Sequence, residues 1–189
     1  PTQIQLKNSL SNMSNNEQPT LLVRVSDYNA NGLVGEERDR SSNFHLFCKS
    51  VFKTSKDNIR QGSFGLGKGV FYHQSGLSTV LRSSYCDIDG ENKMRAFGRS
   101  ELQSHECEDG QEYRGTKECS GPGFFGISSD SERGTNAISS TEESNTTLKN
   151  LFLDRDPEMG TGTSVISLAF KKDISIENTI ANFSSDIKK

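Results

Sequence analysis

Residues 62–69 of this 189-residue chain read Gly-Ser-Phe-Gly-Leu-Gly-Lys-Gly. Glycines this close together weaken a strand or a helix, because each one costs backbone entropy and offers no side chain for packing. They suit a loop that passes close to a ligand and turns its N–H groups inward, and the usual ligand of such a nest is an anion, most often a phosphate. The stretch therefore predicts a phosphate-binding loop, to which Lys68 would add a positive charge.

The composition predicts a single domain with a high content of loops. The net charge is −3, with 25% charged and 31% hydrophobic residues, which argues against a nucleic-acid footprint spread over the whole surface. Residues 128–150 are poor in apolar side chains and are expected to form a mobile loop. No run is apolar enough to cross a membrane. The four cysteines are far apart, which favours free thiols in the cytoplasm over a metal site.

Apolar patterns along the chain predict interleaved strands and helices. Alternation and β-branched residues predict strands, at residues 2–6, 21–25, 77–85, 93–98 and 165–170. Helical spacing of apolar residues predicts helices, at residues 44–52, 70–76 and 174–187. Asp89-Gly90 predicts a tight hairpin turn between two of the strands. Because strands and helices do not alternate strictly along the chain, the pattern predicts the α+β class.

Two further motifs flank the glycine stretch in a recognisable order. Asp27 ends an apolar strand and begins the turn Asp-Tyr-Asn-Ala-Asn-Gly, and Gly162-Thr163 open the last apolar strand. In this order the three motifs resemble those of the GHKL ATPases, which include gyrase B subunits, the large heat-shock chaperones, MutL and MORC proteins and histidine kinases. The acid turn and the glycine stretch look most similar to bacterial MORC-like proteins found beside anti-phage genes. The resemblance covers residues 2–170.

The resemblance implies a fold and a set of ligand contacts. The fold is the two-layer Bergerat sandwich, in which a mixed, mostly antiparallel sheet carries helices on one face. In that family the acid bonds the adenine amino group, the glycine loop wraps the phosphates, and the threonine lies near the adenine through a water. Asn29 and Asn31 replace family glycines in the acid turn, and Gly32 comes one residue late. The replacement is physically reasonable, because Asn tolerates left-handed backbone angles. The implied ATP-binding residues are Asp27, Asn29, Gly32, Gly62, Ser63, Phe64, Gly65, Leu66, Gly67, Lys68 and Thr163.

One motif of the family is not found. The family's first motif, E-x-x-x-N-x-x-D, lies on a helix, where its Glu activates water and its Asn holds Mg²⁺. The nearest match has Ile4, Asn8 and Ser11 in these places, and the strand predicted at residues 2–6 conflicts with a helix. We therefore expect a fragment whose motif helix and Mg²⁺ ligand precede Pro1. The catalytic residues are unknown, and Asn8 is given no catalytic role.

These implications lead to an expected function and two alternatives. The intact protein would be an ATPase, a hydrolase whose ATP cycle drives homodimerisation and switches a DNA or protein partner, for instance in anti-phage defence. Without the catalytic Glu, the domain could instead bind ATP as an inactive regulatory or scaffold domain. In the third interpretation the glycines serve a structural bend in a binding module that takes no nucleotide.

Overall fold

The computed structural model shows an α+β fold. It describes residues 3–14, 20–50, 66–106, 118–119, 121–129, 134–139 and 142–171. The helices are α1 (Gln3–Ser14), α2 (Leu66–Gln74) and α3 (Glu142–Asn150), with a π-helix at His45–Lys49 and a 3-10 helix at Pro157–Met159. The strands are β1 (Val23–Ser26), β2 (Thr79–Ile88), β3 (Glu91–Glu101), β4 (His105–Glu106), β5 (Glu118–Cys119), β6 (Pro122–Phe125), β7 (Ile127–Ser129), β8 (Gly134–Asn136), β9 (Ile138–Ser139) and β10 (Gly162–Ser167).

Six of these strands form one antiparallel sheet, and the hairpin of β2 and β3 is its centre. The strand order is β1-β10-β2-β3-β6, and β9 also pairs with β3. At the hairpin turn, Asp89 and Gly90 have φ angles of 56° and 83°, as a two-residue turn with both central residues at positive φ requires. The hairpin predicted from the sequence is confirmed, as is the α+β class with a mostly antiparallel sheet.

Side chains alternate between the two faces of this sheet, and each face carries a helix. On one face, called the α3 face, Leu148 of α3 is buried in a cluster with Leu81 of β2 and Ile166 of β10. On the opposite face, called the α2 face, Arg82 of β2 donates to the hydroxyl of Tyr72 in α2 (2.8 Å). The expectation of helices on one face only is therefore wrong, because the neighbours Leu81 and Arg82 point to opposite faces.

The beginning of the chain is helical. The strand predicted at residues 2–6 is wrong, because this segment belongs to α1. Apolar side chains recur there at a helical spacing of four and three residues, at Leu6, Leu10 and Met13. A Cβ added at Gly76 would lie 2.9 Å from Ser9 Oγ, so α1 packs against the turn that follows α2.

Regular structure also occurs within residues 128–150, the segment expected to be mobile. Its described part contains β8, β9 and α3, and β9 joins the main sheet through the pair Ala96↔Ile138. The strand predicted at residues 165–170 is confirmed in part, because β10 begins and ends three residues earlier, at Gly162–Ser167. The helix predicted at residues 174–187 lies outside the described residues. Among the described helices, none has the length and apolar character that crossing a membrane requires.

Candidate functional site

Asp27 and Thr163 lie side by side at the end of the β1–β10 pair. The ladder aligns Ser26 with Ser164, and beyond it the Asp27 N–H donates to the Thr163 carbonyl (2.9 Å). In return the Thr163 N–H donates to Asp27 Oδ1. The Asp27 side chain is exposed to solvent. The fold thus brings together two residues that are 136 positions apart in the chain and leaves the carboxylate within reach of a ligand.

The turn after Asp27 takes left-handed conformations at two positions. Asn29 has a φ of 54° and Gly32 has a φ of 69°, whereas Asn31, which also stands in place of a family glycine, has no positive φ. Gly32 also lies against strand β2: a Cβ added there would be 2.7 Å from Ser84 Oγ and 2.9 Å from Cys86 Cβ. The turn therefore needs glycine at this position both for its φ angle and for its close approach to the sheet.

Arg155 holds the acid turn through two hydrogen bonds, and no pattern in the sequence indicated this role. Its Nη2 donates to the Asp27 carbonyl (2.6 Å) and its Nη1 to Ser164 Oγ (2.6 Å). The guanidinium carbon lies 4.8 Å from the ring centroid of Tyr28. Burial lowers the pKa of the Arg155 guanidinium, while Tyr28 and Asp27 act in the opposite direction. An arginine between two aspartates in a polar segment reads as a surface charge, so sequence reasoning missed it.

Ser84 joins three parts of the site through one hydroxyl group. Its Oγ accepts the Leu33 N–H (2.8 Å) and donates to the Gly162 carbonyl (3.0 Å). It is fully buried on the α2 face, directly opposite Thr163 in the β10–β2 ladder. The hydroxyl thereby ties the end of the acid turn to the strand that carries Thr163.

Replacement of Ser84 by alanine is expected to destabilise the protein, and the neighbouring Ser83 supplies a matched control. Ser84→Ala leaves the buried Leu33 N–H without an acceptor, so we expect a loss of about 1–3 kcal/mol in the free energy of unfolding. Ser83 is equally buried but points to the α3 face, where its Oγ has no hydrogen-bond partner within the part of the chain that the structure describes. Ser83→Ala should therefore cause no loss. Urea denaturation measures both; equal losses would refute the role assigned to Ser84.

The glycine stretch is described from Leu66 onward, and this part is helical. Leu66, Gly67 and Lys68 form the first turn of α2, so the prediction of a loop here is wrong for them. Gly62, Ser63, Phe64 and Gly65 lie outside the described residues. Since the first four N–H groups of a helix have no acceptor within it, the start of α2 still favours an anion.

Lys68 is a half-buried lysine, in contrast to a solvated loop residue. Its Nζ donates to the Leu46 carbonyl (2.5 Å), which anchors α2 to the π-helix segment. Burial lowers the pKa of Lys68, and the nearby guanidinium groups of Arg82 and Arg99 lower it further. Its positive charge therefore lies among other cations, where an anionic ligand would be stabilised.

Metal ligands and reactive thiols are not evident in the part of the chain that the structure describes. There, no three His, Cys, Asp or Glu side chains come together as a metal site would require. Cys48 and Cys86 are free and buried, as the sequence predicts for the cysteines. Burial raises the pKa of Cys48 to about 11, which keeps it in the unreactive thiol form.

The described residues offer a ligand two kinds of contact on the α2 face. At one place the exposed Asp27 carboxylate beside Thr163 accepts N–H donors; at another, Lys68 and the first turn of α2 favour negative charge. This chemistry suits a ligand with an amino group at one end and anionic groups at the other. Comparison with protein-family models, curated proteins and solved structures found no match.

Proposed function

We propose that this chain is the ATP-binding domain of a GHKL-type ATPase, a nucleotide-driven dimerising switch. The observation that carries the proposal is the pairing of Asp27 with Thr163, two motif residues that are distant in sequence and mutually hydrogen-bonded in the fold. The resemblance of the three motifs to that family requires such a juxtaposition. Homodimerisation, a DNA or protein partner and a place in anti-phage defence follow from the same resemblance and belong to the proposal.

The geometry of Asp27 suits recognition of an adenine amino group. Its Oδ1 is engaged by the Thr163 N–H, so Oδ2 is the atom that would accept a hydrogen bond from a ligand. A carboxylate accepts from an amino group and repels a carbonyl oxygen, which favours adenine over guanine. Arg155 and Ser84 hold the surrounding backbone in place, so this selectivity would be built into a rigid site.

The phosphate end of the nucleotide would lie by the start of α2. The free N–H groups of a helix's first turn and its positive dipole end bind anions, and Lys68 belongs to this turn. Mg²⁺ would accompany the phosphates, but no group of three His, Cys, Asp or Glu side chains that could hold it occurs among the described residues. The proposal therefore assigns nucleotide binding to this chain and assigns no residue to hydrolysis.

Asp27→Asn is expected to weaken ATP binding and to shift the preference of the site toward GTP. With its oxygen still accepting the Thr163 N–H, the introduced amide would present its NH₂ group to the ligand. The NH₂ group of the variant would then face the NH₂ group of adenine, and two donors cannot form a hydrogen bond. We therefore expect the Kd for ATP to rise roughly tenfold to hundredfold, which corresponds to the loss of one charge-assisted hydrogen bond. The guanine carbonyl would accept from the same NH₂ group, so GTP should bind better than it does to the wild type. Calorimetric titration with both nucleotides measures the two shifts.

Asp89→Asn is the matched control, because Asp89 occupies the exposed hairpin turn at a φ that asparagine tolerates well. It should bind ATP with the wild-type affinity. Equal ATP affinity of the wild type and Asp27→Asn, or no affinity in either, would rule out the proposed role of the acid turn and with it the ATP interpretation.

A second candidate, an ATP-binding domain without hydrolysis, is favoured by α1. The helix at Gln3–Ser14 supplies the secondary structure that the family's first motif needs. Its sequence, however, has Ile4 where that motif has the catalytic Glu and Ser11 where it has Asp. If α1 fills this role, ATP would bind without being cut. Phosphate release at saturating ATP, abolished by Asp27→Asn, would exclude this candidate.

A further inference from the structure

Three arginines of the central hairpin are buried on the α2 face, and we call them the arginine cluster: Arg82, Arg95 and Arg99. Their exposed fractions are 1%, 4% and 4%. Arg82 lies opposite Phe97 in the β2–β3 ladder, so Arg95 and Arg99 are its diagonal neighbours, with Cα atoms about 7–8 Å away. Guanidinium groups are almost never buried to this extent unless each has an anionic partner. The cluster therefore needs an explanation.

The aromatic surroundings account for part of this burial. The guanidinium carbon of Arg95 lies 4.2 Å from the ring centroid of Phe44. That of Arg82 lies 5.2 Å from the Phe47 ring and 5.3 Å from the Tyr72 ring. Such cation–π contacts partly replace water above and below the guanidinium plane. These contacts provide no acceptor for the N–H groups at the edge of the guanidinium plane. Whether the charge is compensated therefore depends on the hydrogen bonds of those N–H groups.

Arg82 and Arg95 have N–H groups without partners, whereas Arg99 is compensated. Within the described part of the chain, Arg82 bonds Tyr72 through Nη2 and Arg95 bonds the Gly35 carbonyl through Nη1 (3.0 Å). The Nε and Nη1 atoms of Arg82 and the Nε and Nη2 atoms of Arg95 are buried and find no hydrogen-bond partner among the described residues. Arg99, in contrast, forms a 2.6 Å ion pair with Glu101. Four donor atoms on two guanidinium groups are thus left for an acceptor.

Neighbouring side chains add positive charge to the cluster. Lys49 Nζ lies 5.4 Å from the centroid of the Phe97 ring. Phe97 lies between Arg95 and Arg99 on β3 and opposite Arg82 on β2. Lys68 is close enough for Arg82 to lower its pKa, after the larger effect of burial. Among the described residues, the carboxylates in ion pairs here are Glu37 with Lys49 and Glu101 with Arg99. No carboxylate among the described residues forms an ion pair with Arg82 or Arg95.

We propose that Arg82 and Arg95 form a binding site for a phosphate group, in which the four unpartnered donors contact phosphate oxygens. Planar guanidinium groups match phosphate geometry through paired N–H contacts, and several cations around one place suit a polyanion better than a single carboxylate. The assignment to phosphate stands on these contacts alone. Its extension to the phosphate tail of the bound nucleotide rests on the proposed function.

The position of the cluster is compatible with one ligand that also reaches Asp27. Ser84 stands between Thr163 and Arg95 in the same row of the sheet. Arg82 is the next residue on that face of β2, about 7 Å farther along the strand. A nucleotide whose base lies at Asp27 and Thr163 would therefore extend its phosphates along the α2 face toward Arg82.

Arg82→Met tests the site, because methionine keeps much of the side-chain volume and removes the charge. The melting temperature and the Kd are measured with tripolyphosphate, ATP and adenosine. Without added anion we expect the variant to melt at or above the wild-type temperature, since an uncompensated buried charge is lost. Tripolyphosphate should raise the melting temperature of the wild type and leave that of the variant unchanged. The Kd for ATP should rise roughly tenfold or more, and that for adenosine should stay the same.

Two further variants separate the outcomes. Arg24→Met, at an exposed arginine, should respond to every ligand as the wild type does. Asp27→Asn should lose affinity for adenosine and keep the tripolyphosphate response. Tripolyphosphate binding that Arg82→Met abolishes, with no adenosine binding to any variant, would keep the phosphate site and reject the proposed ATP function.

The phosphate site is overturned by either of two results. One is a wild type that does not respond to tripolyphosphate, or a variant that responds equally well. The other is that the protein needs these charges in order to fold, which Arg95→Met tests independently of Arg82→Met. If Arg82→Met and Arg95→Met both unfold in buffer where the wild type is folded, the arginines serve packing against Phe44, Phe47 and Tyr72, and the assignment fails.

Discussion

Leu148→Ala is expected to lower the free energy of unfolding by about 2–5 kcal/mol, the usual cost of cutting a buried leucine back to alanine. Leu148 is 1% exposed and packs in the cluster that contains Leu81, Ala96, Leu153 and Ile166. It is the buried apolar residue of α3, so its truncation removes the contact that holds this helix to the sheet. The change is measured by urea or thermal denaturation of the two proteins.

Thr147→Ala is the control for this prediction, because Thr147 is the exposed neighbour of Leu148 in the same helix. Alanine has the higher helix propensity, so the control should stay within about 0.5 kcal/mol of the wild type. A small effect of Leu148→Ala, equal to that of Thr147→Ala, would mean that α3 is not docked. The expectation of a mobile segment at residues 128–150 would then stand.

The sequence predicted those parts of the fold in which local signals agree. In the β2–β3 hairpin, alternation over both strands and Asp89-Gly90 at the turn all favour the same structure. The motif resemblance predicted the proximity of Asp27 and Thr163, which no local periodicity contains. The left-handed conformation of Asn29 is one that its residue type tolerates, but residue type alone does not select it, since Asn31 in the same turn has no positive φ.

Other parts were mispredicted because the apolar signal was weak. Residues 3–14 contain few apolar side chains, and Ile4 with Leu6 fits the two-residue period of a strand. α3 has little apolar surface besides Leu148, so hydropathy suggested a loop where a single buried leucine is enough to dock the helix.

Buried cations were the largest omission. Arg82, Arg95 and Arg155 read as surface charges, because arginine is rarely buried. Their positions depend on aromatic rings and backbone carbonyls from distant segments, such as Phe44 for Arg95 and the Asp27 carbonyl for Arg155. Such contacts exist only after the chain has folded. A charged residue within an otherwise alternating strand is the one signal that sequence reasoning could have used.

Gly32→Ala is expected to destabilise the protein by about 3 kcal/mol or more and to abolish the arrangement of the acid turn. A left-handed conformation costs a non-glycine residue about 1–2 kcal/mol. The added methyl group would also lie 2.7 Å from Ser84 Oγ and 2.9 Å from Cys86 Cβ, and forcing such overpacking costs about 1–3 kcal/mol. Displacing Ser84 breaks its bonds to Leu33 and Gly162. ATP affinity should therefore fall together with stability, as measured by denaturation and by titration.

Gly90→Ala separates the two contributions, because its φ of 83° resembles that of Gly32 while a Cβ there meets nothing within 4 Å. Gly90→Ala should lower the free energy of unfolding by only about 1–2 kcal/mol, the cost of a left-handed conformation for alanine, and should leave ATP affinity unchanged. If Gly32→Ala costs no more than Gly90→Ala, the turn can move away from β2 without penalty. In that case Ser84 would not fix the acid turn, and the rigid adenine site on which the proposed function depends would lose its support.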